Sequence, residues 1–105
     1  MFSGGDYEEV GRWLWNFVTS HAKREDARVE AVVETEGPRE GVSYGVRLRL
    51  GERLYPPPDV PPLELSYAEV ARERGGLGWC SALADRIRGG GRELAHGVAA
   101  RRRSA

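Results

Sequence analysis

Apolar residues recur along the first quarter of the chain at helical spacing. Val10, Trp13, Leu14, Phe17 and Val18 fall at i, i+3, i+4, i+7 and i+8, and His21 extends the stripe. The pattern predicts an amphipathic helix over residues 6–24. Asp6 is placed to cap it, Glu9 holds the capping position three residues on, and Lys23 and Arg24 complement the last turn.

The period then changes to two. Over residues 27–36, Ala27, Val29, Ala31, Val33 and Thr35 alternate with Arg28, Glu30, Glu34 and Glu36, and Val32 is the one apolar residue on the polar side. Over residues 42–50, Val42, Tyr44, Val46, Leu48 and Leu50 alternate with Ser43, Gly45, Arg47 and Arg49. A one-residue slip would turn every side chain to the wrong face, so the apolar faces fix the register. A loop over residues 38–41 sets Val33 opposite Val46, Ala31 opposite Leu48 and Val29 opposite Leu50, and it brings Glu30 to Arg49 on the polar face. Tyr44, Val46 and Leu48 are expected to be buried, and Arg47 and Arg49 exposed. Gly51-Glu52 suits a two-residue turn that returns Arg53-Leu54-Tyr55 as a short third strand.

Five prolines between residues 56 and 62 supply almost no backbone donors, and they predict an extended connector along one edge of the sheet. Ser66 opens a second helix with a capping box to Glu69 and a staple between Leu65 and Val70, and Gly75-Gly76 stops it. Cys80, Leu83, Ala84 and Ile87 mark a third helix over about 77–88. Gly89-Gly90-Gly91 is expected to break it. Residues 1–91 therefore read as a single α+β domain, and residues 92–105 as an Arg-rich tail, weakly helical or disordered and dispensable for folding.

The expected architecture is an α+β fold in two layers: a small antiparallel sheet of two or three strands packed on helices, in the order α-β-β-(β)-α-α. A chain of 105 residues can bury an independent core of this kind, and its 40% hydrophobic content is too high for disorder. The α-β-β-β-α order resembles that of double-stranded-RNA-binding domains. The lysine-rich start of the last helix that those domains use is missing, and order alone assigns no family.

Charge narrows the function classes. Sixteen basic and sixteen acidic residues cancel, against the basic excess usual in nucleic-acid domains. Lys23 is the only lysine, an arginine skew typical of GC-rich bacterial coding sequences. Cys80 is the only cysteine, so no intrachain disulfide forms. The first residues show no secretory leader and no apolar run spans a membrane, which makes the cytoplasm the expected compartment.

Candidate chemistry is thin. Cys80 lies on an apolar stripe without a local base and reads as a small hydrophobe. His21, His96 and Cys80 lack metal-ligand spacing. Glu30, Glu34 and Glu36 share a solvated strand face rather than a pocket that would split their pKa values. Gly75-Gly76-Leu77-Gly78 lacks the strand and lysine of a phosphate loop. Pro58-x-x-Pro61 reads as a rigid connector before a docking motif. No catalytic residue, cofactor or metal is expected, and the chain reads as a non-enzyme.

Two features point to binding. Trp15 lies off the core stripe of the first helix and Val32 lies on the polar face of the first strand. Together with open sheet edges they suggest a protein-interaction module that self-associates, as a homodimer, or takes a protein partner. From residue 86 onward, Arg86, Arg88, Arg92, Arg101, Arg102 and Arg103 face one glutamate, Glu93, which makes nucleic-acid or anion binding the alternative.

Overall fold

Asp6 starts the first helix as its sequence predicts: the Glu9 amide donates to Asp6 Oδ1 at 2.7 Å, satisfying one of the free donors of the first turn. In this computed structural model, which describes residues 5–104 and side chains from 5 to 96, helix α1 spans Tyr7–Glu25. Strands β1 (Glu30–Glu34), β2 (Ser43–Leu50), β3 (Arg53–Tyr55) and β4 (Leu63–Ser66) follow, then helices α2 (Tyr67–Glu73) and α3 (Leu77–Ser104). A single 3-10 turn at Gly37–Arg39 lies in the β1–β2 loop. The fold is α+β, with one antiparallel sheet against the helices.

The hairpin takes the register that the apolar faces demand. Val33 pairs with Val46, Ala31 with Leu48 and Glu30 with Arg49. Gly51 turns the chain at φ 63°, a conformation that favours glycine, and Leu50 then pairs with Arg53. Val29, Tyr44, Val46, Leu48 and Leu50 are buried under α1 and α3, where Val10, Leu14, Val18, Leu83 and Ile87 meet them. Val42 breaks the expected alternation: it precedes β2 and is 63% exposed.

One strand more is present than the sequence predicts. β2 is central, with β1 along one side and both β3 and β4 along the other. β3 takes Leu48–Leu50, and β4 takes Ser43–Val46. Among the described residues of β2, only Arg47 has no strand partner on that side. At this gap the chain leaves the sheet through the prolines, which cannot donate to a ladder, and returns as β4.

That detour overturns the expected exposure of Arg47, which is 9% accessible. Its Nη1 lies 2.8–2.9 Å from the carbonyl oxygens of Pro56, Pro57 and Val60, and its Nε donates to Glu34 at 3.1 Å. Alternation tells which face a residue takes, not what covers that face. The connector covers the polar face, and the guanidinium supplies the donors that its prolines lack.

The glycine triplet is the other correction. Gly89-Gly90-Gly91 does not end α3, which passes through the boundary expected at residue 91 and continues to Ser104. A Cβ on Gly90 would lie 2.8 Å from the Tyr55 ring and 3.1 Å from Leu48, and one on Gly91 would lie 3.3 Å from Glu25. The glycines let the helix lie close against β3 and α1. Leu94, in the segment read as a tail, is 2% exposed and belongs to the core.

Ser66 caps α2, its Oγ accepting from the Glu69 amide at 3.0 Å. The Glu69 carboxylate does not complete the box; it accepts from Trp79 Nε1 at 2.9 Å and so ties α2 to α3.

The packing separates the three glycines by sign. Gly89→Ala meets open space and should stabilise by up to about 1 kcal/mol through helix propensity. Gly90→Ala should instead destabilise by about 1–3 kcal/mol through overpacking against Tyr55 and Leu48. Chemical denaturation of the two variants measures both. Equal stabilisation of the pair would show that α3 does not press on β3.

Candidate functional site

The polar face of the sheet consumes its own charges. Glu30 pairs with Arg49, Glu34 with Arg47 at 3.1 Å and Arg39 at 3.5 Å, and Arg39 with Glu64 at 3.0 Å. Ser43 Oγ donates to the same Glu64 at 2.7 Å. Arg49 holds the Glu30 carboxyl below its ordinary range, chiefly by hydrogen bonding, and Ser43 and Arg39 do the same for Glu64. Gly45 leaves the space that Arg39 and Pro62 use, since a Cβ there would fall 2.7 Å from Arg39 Nε.

The flank where α1 overhangs β1 is different. Successive residues of a helix rotate by about 100°, which puts Tyr7, Glu8, Gly11, Arg12 and Trp15 on the side of α1 away from α3. They border a groove of about 590 Å³, closed on the strand side by Val33, Thr35, Glu36 and Glu40. The floor is the Tyr7–Tyr44 stack, with ring centroids 4.6 Å apart and planes at 7°. Tyr44 Oη donates to the Tyr7 carbonyl at 2.7 Å and Tyr7 Oη to the Ser43 carbonyl at 2.5 Å, so the buried phenol of Tyr44 and the half-buried one of Tyr7 are both satisfied. Burial raises the pKa of each and keeps both neutral. Gly11 opens the groove, because a Cβ there would stand 3.0 Å from the Tyr44 ring.

Trp15 is 46% exposed at this groove. Val32, half-buried on β1, pairs with Arg47. Among the described residues β1 pairs with β2 alone, so its outer side carries peptide groups without a strand partner. Glu34 and Arg39, with Val33, Thr35 and Glu36, border a second depression of about 440 Å³. The two hollows share Val33, Thr35 and Glu36 and adjoin the end of β1.

The arginines singled out in the sequence are not gathered into one site. Arg88 Nε donates to Glu25 at 2.9 Å, and Arg92 lies 3.5 Å from the same carboxylate. Arg86 is exposed and borders a small hollow with Trp79 and Leu65. The side chains of Arg101, Arg102 and Arg103 lie outside the described residues.

Cys80 is half-buried, its Sγ 3.4 Å from the Arg74 carbonyl, and burial raises its pKa away from the reactive thiolate. His21 packs on Phe17 at 4.6 Å with its Nδ1 buried and unpartnered. Among the described residues no three of His, Cys, Asp and Glu come together as a metal site would require, and no helix is long and apolar enough to cross a membrane.

Sequence reasoning found Trp15 by helix phase but missed the rest of the groove. Tyr7 was legible only as a residue of the first helix and Tyr44 only as a core position; their stacking depends on how α1 lies over the β1–β2 hairpin. Leu77, 88% exposed, also escaped, since it continues the Cys80–Ala84–Ile87 stripe by spacing but stands one turn beyond the core.

No family model matches the chain, and neither a curated protein nor a solved structure matches it.

Burial, with Arg24 and Arg88 nearby, lowers the His21 pKa from its ordinary 6.5. The folded protein therefore binds this proton less readily than the unfolded chain does. The His21 contribution to stability is complete above pH 6.5 and is lost as the pH falls through the folded value. Thermal melts between pH 7.5 and 5 should show that decline, and His21→Gln should flatten it. An unchanged slope in the variant would assign the pH dependence to other groups.

Proposed function

We propose that this chain is a non-enzymatic protein-interaction module whose docking surface is the α1/β1 flank. The observation that carries this reading is a half-exposed tryptophan, Trp15, at a groove bordering the unpaired side of a sheet. Unpaired strand edges template association, and natural proteins cover them or use them. Tryptophan is among the residues that dominate binding energy at interfaces. The alternative of anion binding through α3 gains no support from Arg88 and Arg92, which share Glu25.

Self-association is the homotypic version of the same reading. A twofold along β1 through Val32 would set Glu30 against Glu34 of the second copy, and like charges directly opposite are destabilising. A different protein is therefore the favoured partner. A reducing compartment such as a bacterial cytoplasm suits the single, half-buried Cys80.

Trp15 should then matter more to binding than to folding. Trp15→Ala should change folding stability by less than about 1 kcal/mol, against 3–5 kcal/mol for a buried tryptophan. Sedimentation of the wild type at micromolar concentration tests the homotypic form, with a monomer expected. A folding loss of the buried-site size would make Trp15 structural and remove the case for this surface.

A further inference from the structure

We infer that the partner of this flank is an extended, positively charged peptide segment that adds a strand to β1 and places an arginine or lysine side chain beneath Trp15. The inference rests on the docking reading above and gives it a ligand class.

The mode follows from the geometry of the edge. Successive side chains of a strand point to opposite faces, so a segment paired with β1 presents alternate residues to the two sides of the sheet. Two hollows adjoin the end of β1, of about 590 Å³ and about 440 Å³, and they share Val33, Thr35 and Glu36. Strand addition of this kind takes its affinity from main-chain hydrogen bonds and its specificity from pockets for alternate side chains. The groove on the helix side also exists in the free protein, because Gly11 keeps it open above the Tyr44 ring.

Charge decides the occupant. Among the described residues, Glu8, Glu36 and Glu40 border the helix-side groove, with Arg12 the one cation beside them. Among the described residues these three carboxylates have no ion-pair partner, whereas Glu25, Glu30, Glu34 and Glu64 are all paired. A groove of this charge repels phosphate and carboxylate groups and attracts a cation. Trp15 adds an aromatic surface, on which a guanidinium gains by cation–π contact and by stacking. Arginine suits the site better than lysine, since its planar fork can stack on the indole and pair with a carboxylate at once.

The probe is a fluorescein-labelled peptide of seven residues alternating arginine and threonine, titrated with the full chain and followed by anisotropy. Saturable binding is expected, weakening as ionic strength rises. Trp15→Ala should weaken it about tenfold or more, as loss of an aromatic anchor does. Glu8→Gln combined with Glu40→Gln should weaken it in the same direction without unfolding the protein, since both side chains are exposed. A peptide of the same sequence with every backbone amide N-methylated keeps the charge, lacks the strand donors and should bind at least about tenfold more weakly.

The outcomes separate the two claims. Trp15-dependent binding of a glutamate–threonine peptide, with no binding of the arginine peptide, would overturn the charge inference and leave the docking surface standing. Equal binding of the N-methylated peptide would overturn strand addition. Binding of the arginine peptide that ignores Trp15→Ala would overturn both claims. Concentration-dependent association of the wild type, abolished by Trp15→Ala, would seat a second copy on the flank and overturn the peptide as its occupant.

Discussion

The structure turns on one buried guanidinium. Arg47 stands at the middle of the central strand, at the one position of β2 left without a partner between β3 and β4. Three carbonyls of a connector rich in proline converge on its Nη1, and Glu34 takes its Nε. Neither group would be stable in that place alone. A buried guanidinium needs acceptors, and a folded-in proline segment needs donors that it cannot supply itself. Each satisfies the other, and the chain is thereby returned to the sheet in register for β4. Ser66, the last residue of β4, caps α2, and Glu69 of α2 reaches Trp79 of α3. The position of the second and third helices thus descends from the way the connector is held.

The same constraint gives the sheet two unlike sides. The side of β2 beyond Arg47 is filled by β3, the connector and β4, and the charges above it are matched pair by pair. The other side ends at β1, with a half-exposed tryptophan over it and unpaired carboxylates around it. Stability is concentrated where the chain has closed on itself. The docking surface we propose lies where it has not, and the reading of this protein as an interaction module depends on that asymmetry rather than on any catalytic group.

Much of the fold was legible because it rests on local or two-body rules. Helix α1 followed from its stripe and cap, the hairpin register from the coincidence of two apolar faces, and the β2–β3 turn from Gly51. Trp15 stood out because helical phase alone puts it off the core. What escaped depended on contacts between distant segments. β4 was hidden because Leu63–Ser66 is four residues long and its partner is already shared with β3. Arg47 looked solvent-exposed because alternation names a face and is silent about a loop laid across it. Gly89-Gly90-Gly91 looked like a break because propensity was weighed without Tyr55, Leu48 and Glu25, whose closeness makes small residues necessary there. The groove itself is a property of how α1 lies over the β1–β2 hairpin, which no residue pattern in either element encodes.

The central claim is that Arg47 holds the connector and, through it, β4. Hydrogen exchange resolved by residue, on the wild type and on Arg47→Met, tests it most directly. Methionine keeps most of the aliphatic bulk and removes every donor. The account predicts that amides of residues 63–66 lose protection in the variant while those within α1 and the β1–β2 pairing keep theirs. Undiminished protection of β4 in Arg47→Met would contradict it, and would show that the strand pairs with β2 without help from the guanidinium.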